Sequence, residues 1–174
     1  MRLLKYKLLT TMLLTGALFL QGCGWHLRGA EPLPPELQTL HLQIANDNGS
    51  FARSLKRSLK ASDVTLTDSA NEAPYSLKVS DISNSSRTLS VTSSARVAEY
   101  EITSSVSYSL INREGKQLVA PTPLSTERTY LYNSNNATSA FEEENLLREE
   151  MQRDLVQQLI RRYRAINPSV QATE

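Results

Sequence analysis

Residues 96–111 constrain the architecture of this chain more than any other stretch. Ala98, Tyr100, Ile102, Val106, Tyr108 and Leu110 fall on one side of an extended strand. Val97, Glu99, Glu101, Thr103, Ser105, Ser107 and Ser109 fall on the other. A period of two sustained over this length reads as a strand. Antiparallel sheets with one solvated face produce this clean alternation. The polar run 112–116, containing Gly115, predicts a hairpin turn, and the next strand is expected over 117–132. Pro121 and Pro123 cannot donate to a ladder, so they restrict that strand to an edge or a bulge. Upstream, Tyr75, Leu77 and Val79 alternate with Ser76, Lys78 and Ser80 as a third strand. The Ser/Thr-rich stretch 83–94, which contains Arg87, is expected as a hairpin reaching beyond the sheet.

Before this meander, Leu40, Leu42 and Ile44 alternate with Thr39, His41 and Gln43. Turn chemistry follows over 46–50, with Ser50 a candidate N-cap. Residues 51–60 read as a helix with Ala52, Leu55 and Leu59 on one side and Arg53, Lys56, Arg57 and Lys60 on the other. That basic side would meet phosphates or acidic lipids, or simply be solvated. A short apolar piece at 64–66 completes a strand-helix-strand crossover. The last element, about 139–164, repeats Leu147, Met151, Leu155, Leu159 and Tyr163 every four residues. Leu146, Val156 and Ile160 widen that stripe into the apolar face of an amphipathic helix. Glu142, Glu143 and Glu144 near its start and Arg161, Arg162 and Arg164 near its end suit the helix dipole. The expected class is α+β: a two-layer α/β sandwich, a mainly four-stranded mixed sheet with two helices packed on one face. The other sheet face, rich in Ser, Thr and Glu, is left for water or a hydrated partner.

The first residues have a different character. Arg2, Lys5 and Lys7 precede an apolar run over 8–20, too short for the ~20 residues that span a bilayer. The run ends in Leu20-Gln21-Gly22-Cys23, and Cys23 is the only cysteine. A lone Cys cannot form an internal disulfide. The stretch resembles bacterial lipoprotein signals, which are cut just before a Cys that carries diacylglycerol and an N-acyl chain. That resemblance makes residues 1–22 a signal peptide and Cys23 the lipid attachment site. Gly24, in place of the Asp of inner-membrane retention, points to the outer membrane. Residues 23–37, with Trp25 and a proline-rich end, are expected as an extended tether. One domain is expected over 38–166, and a disordered tail over 167–174.

Removing residues 1–22 takes three of the 19 basic residues and no acidic ones, leaving 16 against 18, a charge of −2. A nucleic-acid binder would normally show a basic excess. The two histidines, His26 and His41, provide no base beside a nucleophile. No P-loop, dinucleotide fingerprint or HExxH motif occurs, and Glu142–Glu144 lack a companion His for a metal. Glu99 and Glu101 are conceivable as paired carboxylates, but solvated charges on a strand face are far more common. The residues favour a binding or structural role over an enzyme, without cofactor or metal.

Cys23-Gly24-Trp25-His26-Leu27-Arg28 resembles the start of mature proteins in the LPS-assembly lipoprotein LptE (rare lipoprotein B) family. Ala98-Glu99-Tyr100 and the helix pattern from Leu146 to Arg161 extend the resemblance. It implies a non-catalytic outer-membrane lipoprotein, facing the periplasm and inserted one-to-one in the lumen of the LptD β-barrel. Such a protein plugs the barrel, assists its assembly and supports lipopolysaccharide delivery to the outer leaflet. It also implies lipopolysaccharide contacts from basic residues before the central strand and at the start of the last helix. Here Ser93 and Ala140 stand at about those places, and Arg87 and Arg96 are the nearest basic residues. Arg96 would equally suit a cross-strand ion pair. The alternative is a free periplasm-facing auxiliary lipoprotein of another transport system, or a hydrolase with an unrecognised site.

Overall fold

The computed structural model describes residues 33–166. A single 3-10 turn over Pro35–Leu37 leads into β1 (Thr39–Ile44), α1 (Ser50–Lys60) and β2 (Thr65–Thr67). Three long strands follow, β3 (Tyr75–Val91), β4 (Val97–Asn112) and β5 (Gln117–Leu131), and then α2 (Ala137–Arg164). All five strands form one mixed sheet in the order β2-β1-β3-β4-β5. β1 is parallel to β2 and β3, and β4 is antiparallel to both its neighbours. The short β2 therefore adds a fifth strand, at the edge, to the four main ones read from the sequence.

Alternation decides which face is covered. Leu40 of β1, Leu77 and Val79 of β3, and Val106, Tyr108 and Leu110 of β4 share a face and are buried with Leu124 of β5. Against them pack Phe51, Leu55 and Leu59 of α1 and Leu155, Val156, Leu159, Ile160 and Tyr163 of α2. A second cluster, Ile102, Tyr130, Ala140 and Met151, lies further along the sheet. Both helices thus lie on one side, as their apolar stripes require.

The prolines act as expected: β5 is an edge strand, and its register on β4 shifts between the Tyr108 and Leu110 pairings, where β5 carries Ala120 and Pro121. Residues 83–94 do not form a separate hairpin. Residues 83–91 continue β3, a 17-residue strand bulged between Ser80 and Ser83, with Asp81 at φ 52°, and residues 92–94 lie in the turn to β4. Asp is among the few residues that tolerate this left-handed conformation. Beyond the bulge β3 is largely exposed, so the paired ends of β3 and β4 do project past the core.

Four local expectations change. Gly49, not Ser50, occupies the N-cap of α1, and the Ser50 hydroxyl donates to Gln152 Oε1 of α2 at 2.7 Å. Leu33 and Leu37 are core residues, so the packed domain includes residues placed in the tether. Leu146 is exposed and does not widen the buried stripe. Because α2 begins at Ala137, Glu142–Glu144 lie beyond its first turn, where the dipole effect has largely faded.

Tyr163, near the C-terminus of α2, is fully buried and its hydroxyl donates to the Leu37 carbonyl at 2.6 Å. Burial pushes its pKa up. This bond ties the start of the domain to its last helix. Tyr163→Phe leaves the carbonyl without its donor and is expected to cost about 1–3 kcal/mol in urea unfolding. A cost indistinguishable from zero would show that the segment at 33–37 is held by apolar packing alone.

Candidate functional site

No described helix covers the face of the sheet opposite α1 and α2. Ladder register places Ser80 beside Ser107 and Ser83 beside Ser105, and Ser105 beside Ser125. Thr103 and Thr129 continue the same face by alternation. The Ser83 and Ser105 hydroxyls are 2.8 Å apart, and His41 Nδ1 lies 3.1 Å from Ser76 Oγ. Short hydroxyl side chains keep this surface flat and rich in donors and acceptors. It suits hydrated or hydrogen-bonded contact and offers little apolar area.

At the far end, β3 and β4 meet in a turn over residues 92–96. The Thr92 amide donates to the Arg96 carbonyl at 2.7 Å, the Arg96 amide donates to Thr92 Oγ1 at 3.2 Å, and Ala95 has φ 58°. Arg87 projects from β3 opposite Glu101, and its Nε donates to Glu101 Oε1 at 2.5 Å. Glu101 raises the pKa of the guanidinium above its ordinary value. The cross-strand ion pair therefore belongs to Arg87. Arg96 makes none among the described residues. Both arginines lie toward the same end of the sheet.

Four apolar side chains are exposed at this end, a feature the sequence reading missed: Leu89, Val91, Leu131 (71% exposed) and Phe141 (60%). Leu89 and Val91 sit in an otherwise polar tract, and Phe141 falls outside the four-residue repeat of α2. Those mismatches were the available signal. Ser93 lies in the exposed turn, whereas Ala140 is buried in the second cluster. That position is therefore part of the core and not a surface contact.

The start of α2 is fixed to the sheet by a polar triad. Tyr130 donates to Glu144 Oε2 at 2.7 Å, and Arg148 donates to Glu144 Oε1 through Nε at 2.8 Å. Tyr100 stacks on Tyr130 with centroids 5.7 Å apart and meets Tyr132 edge-on at 5.3 Å. Burial pushes the Tyr130 pKa up, and the bond to Glu144 adds to this. For Glu144, burial acts to raise the pKa. The two donors outweigh it and leave the carboxyl below its ordinary value. A carboxyl with a depressed folded pKa stabilises the fold above its unfolded pKa, and that contribution is lost as pH falls through the folded value. Acid titration should therefore destabilise the native protein more than Glu144→Gln between those two values. Parallel curves in thermal melts at decreasing pH would remove Glu144 as an acid-sensitive group.

The paired-carboxylate reading does not survive in this geometry. Glu101 is held by Arg87, Glu99 accepts from the Ser90 hydroxyl at 2.6 Å, and both lie on the open sheet face. No cluster of three metal-ligating side chains occurs among the described residues. No described helix is long and apolar enough to cross a membrane. Cys23, the expected lipid site, lies outside the described residues.

Two helices on one face of a five-stranded mixed sheet, with a hydroxyl-rich opposite face, define a small domain of the two-layer α/β sandwich class. The family profile "LptE: Lipopolysaccharide-assembly" matches residues 37–163, and the chain belongs to that family. It is 30% identical over 167 residues to the LPS-assembly lipoprotein LptE of Pectobacterium atrosepticum, covering 95% of this chain and 90% of that protein. The crystal structure of rare lipoprotein B from Shewanella oneidensis superposes with a TM-score of 0.64 at 25% identity. That match covers 71% of this chain and 91% of the other. A lipoprotein B from Nitrosomonas europaea, solved by NMR, shares the fold with a TM-score of 0.70 at 22% identity, covering 82% and 92%. The chain is thus a non-enzymatic LPS-assembly lipoprotein of Gram-negative type.

Proposed function

We propose that this chain is lipidated on Cys23, sits at the outer membrane, and plugs and assists assembly of an LptD-type β-barrel in a one-to-one complex. The observation that carries this reading is the open Ser/Thr face of the sheet. The lumen of a membrane barrel is polar, and a wide barrel needs filling because its own side chains cannot occupy it. A hydroxyl surface meets such a wall through direct and water-bridged hydrogen bonds. The test is affinity purification of the lipidated protein from outer membranes in mild detergent. A stoichiometric complex with a large barrel protein is expected. Recovery as a free monomer from intact membranes would overturn the reading in favour of a free auxiliary lipoprotein.

Lipopolysaccharide contact belongs to the same proposal. This end of the sheet carries two arginines and exposed Leu89, Val91 and Leu131, a combination suited to a lipid that carries phosphates and acyl chains. Replacing Arg87 and Arg96 together with Ala is expected to weaken lipopolysaccharide binding about tenfold, the scale of one lost charge-assisted bond. Unchanged affinity in a folded double variant would remove both residues.

A further inference from the structure

The basic side of α1 divides in two. Near its start, Arg53 donates to the Asn48 carbonyl and Lys56 pairs with Asp47 at 2.6 Å. In its last turn, Arg57 and Lys60 are exposed and form no ion pair among the described residues. Arg161, Arg162 and Arg164 in the last turn of α2 form none either. Topology brings the two turns together. α1 runs back along β1 to β2, whose first residue, Thr65, stands beside Thr39 at the start of β1. α2 runs back from β5 to Tyr163, which is bonded to Leu37 just before β1. The helices therefore point the same way. The bond from Ser50 to Gln152 sets their stagger, and ten residues beyond each partner Lys60 and Arg162 are level.

Five cations thus gather at one corner of the helical layer, although the chain cut before Cys23 carries a charge of −2. The acidic groups near them are fewer: Asp63 follows α1, and Glu36 precedes β1. The β4–β5 turn at the same end of the sheet is balanced, Arg113 and Lys116 against Glu72 and Glu114. The helix dipole favours a cation at each C-terminus, but it does not require the two ends to be level. This is also the end from which the chain leads to Cys23, because Leu33 is buried in the cluster with Leu37 and Tyr163. Ten residues from Cys23 to Leu33 reach at most ~36 Å, so a lipid on Cys23 keeps the corner near its leaflet. Cations spread over two helix ends suit a surface of many phosphates better than a single one. We propose that the last turns of α1 and α2 dock on anionic phospholipid head groups of the leaflet that holds the Cys23 acyl chains. The contact orients a domain already anchored by lipid and does not replace the acyl chains. It lies at the opposite end of the sheet from Arg87 and Arg96, and it rests on lipidation at Cys23, not on the barrel reading.

Lipidation alkylates the Cys23 sulfur, so an added cysteine becomes the only free thiol. Ala61→Cys, at the exposed end of α1, and Ser94→Cys, in the exposed turn before β4, are made separately in the full-length lipidated protein. Each is labelled with a fluorophore and reconstituted into vesicles of phosphatidylcholine, with or without phosphatidylglycerol, that carry a nitroxide quencher on their head groups. With phosphatidylglycerol, quenching at position 61 is expected to exceed that at 94 by about threefold or more. The excess should vanish on phosphatidylcholine, and when salt rises from about 0.1 to 1 M and shortens screening from ~10 to ~3 Å. Arg57→Gln, Lys60→Gln, Arg161→Gln and Arg162→Gln together should abolish it, with a thermal melt confirming the fold. Arg57→Gln with Lys60→Gln alone should lower it, which provides a readout if the fourfold variant misfolds. Equal quenching at both positions, or an excess indifferent to salt and to these substitutions, overturns the docking and leaves the anchor standing. An excess seen only when lipopolysaccharide replaces phosphatidylglycerol reassigns the corner to that lipid. Two labels per chain would show an unmodified Cys23 and overturn the lipid reading together with the docking.

Discussion

Leu110→Ala is expected to cost about 2–5 kcal/mol of folding stability, the usual range for truncating a fully buried leucine. Leu110 is wholly shielded from solvent, stands opposite Leu77 of β3 and Val119 of β5, and belongs to the cluster beneath both helices. Removing its side chain empties the middle of the sheet's covered face, where rigid ladders on both sides limit collapse. A domain of this kind has roughly 5–15 kcal/mol in total, so the loss is a large share of its stability. Ser107→Ala, three residues away on the open face, should change stability by no more than about 0.5 kcal/mol. Equilibrium urea unfolding of both variants decides the matter. A cost below about 1 kcal/mol at Leu110 would mean that the helices do not pack as described. A large cost at Ser107 would mean that the hydroxyl face carries folding energy rather than being open for contact.

That contrast also explains how much of the fold was legible. Alternation in residues 96–111 assigned Leu110 and Ser107 to opposite faces, because a pleated strand permits no other placement of neighbouring side chains. The four-residue repeat from Leu147 to Tyr163 likewise identified the buried side of α2. Pro121 marked the bulge on an edge strand for a reason local to its missing N–H. Local chemistry did not decide the remaining points. Ser50 has the composition of an N-cap, yet tertiary contact with Gln152 claims its hydroxyl and Gly49 takes the position. Leu33 and Leu37 follow and flank prolines that suggest a free tether. They are buried in the cluster that includes Tyr163, whose hydroxyl bonds the Leu37 carbonyl 126 residues away in the chain.

The functional surfaces were legible in the same uneven way. The hydroxyl face follows directly from the strand period, so the sequence identified it. The arginines were found by composition, but their pairing was not. Arg87 meets Glu101 because the register puts them opposite, and the bulges between Asp81 and Val91 make that register unreadable by counting. Nothing in the four-residue repeat of α2 singles out Arg148. Only the fold shows Nε and Nη2 committed to Glu144 and Nη1 left without an acceptor.

Cys23→Ala, exported behind an ordinary signal peptide, is expected to abolish spontaneous binding to phospholipid vesicles while leaving the domain's unfolding curve unchanged. Each buried CH2 of an acyl chain contributes about 0.8 kcal/mol, and a single myristoyl chain gives an association constant of only about 10^4 M−1. The three chains of a mature bacterial lipoprotein make binding effectively permanent, so their loss should lower partitioning by at least roughly a thousandfold. Among the described residues the buried clusters are complete without Cys23, which is why stability should not follow. Vesicle co-sedimentation measures the anchor alone, because vesicles hold no barrel. The same variant in cells measures something else: whatever fraction still sediments with outer membranes is held by the protein partner. Full retention in cells with none on vesicles would make the plug, and not the lipid, the dominant attachment. Strong vesicle binding by Cys23→Ala would remove Cys23 as the anchor and assign membrane affinity to the protein surface, with exposed Leu131 and Phe141 the first residues to test.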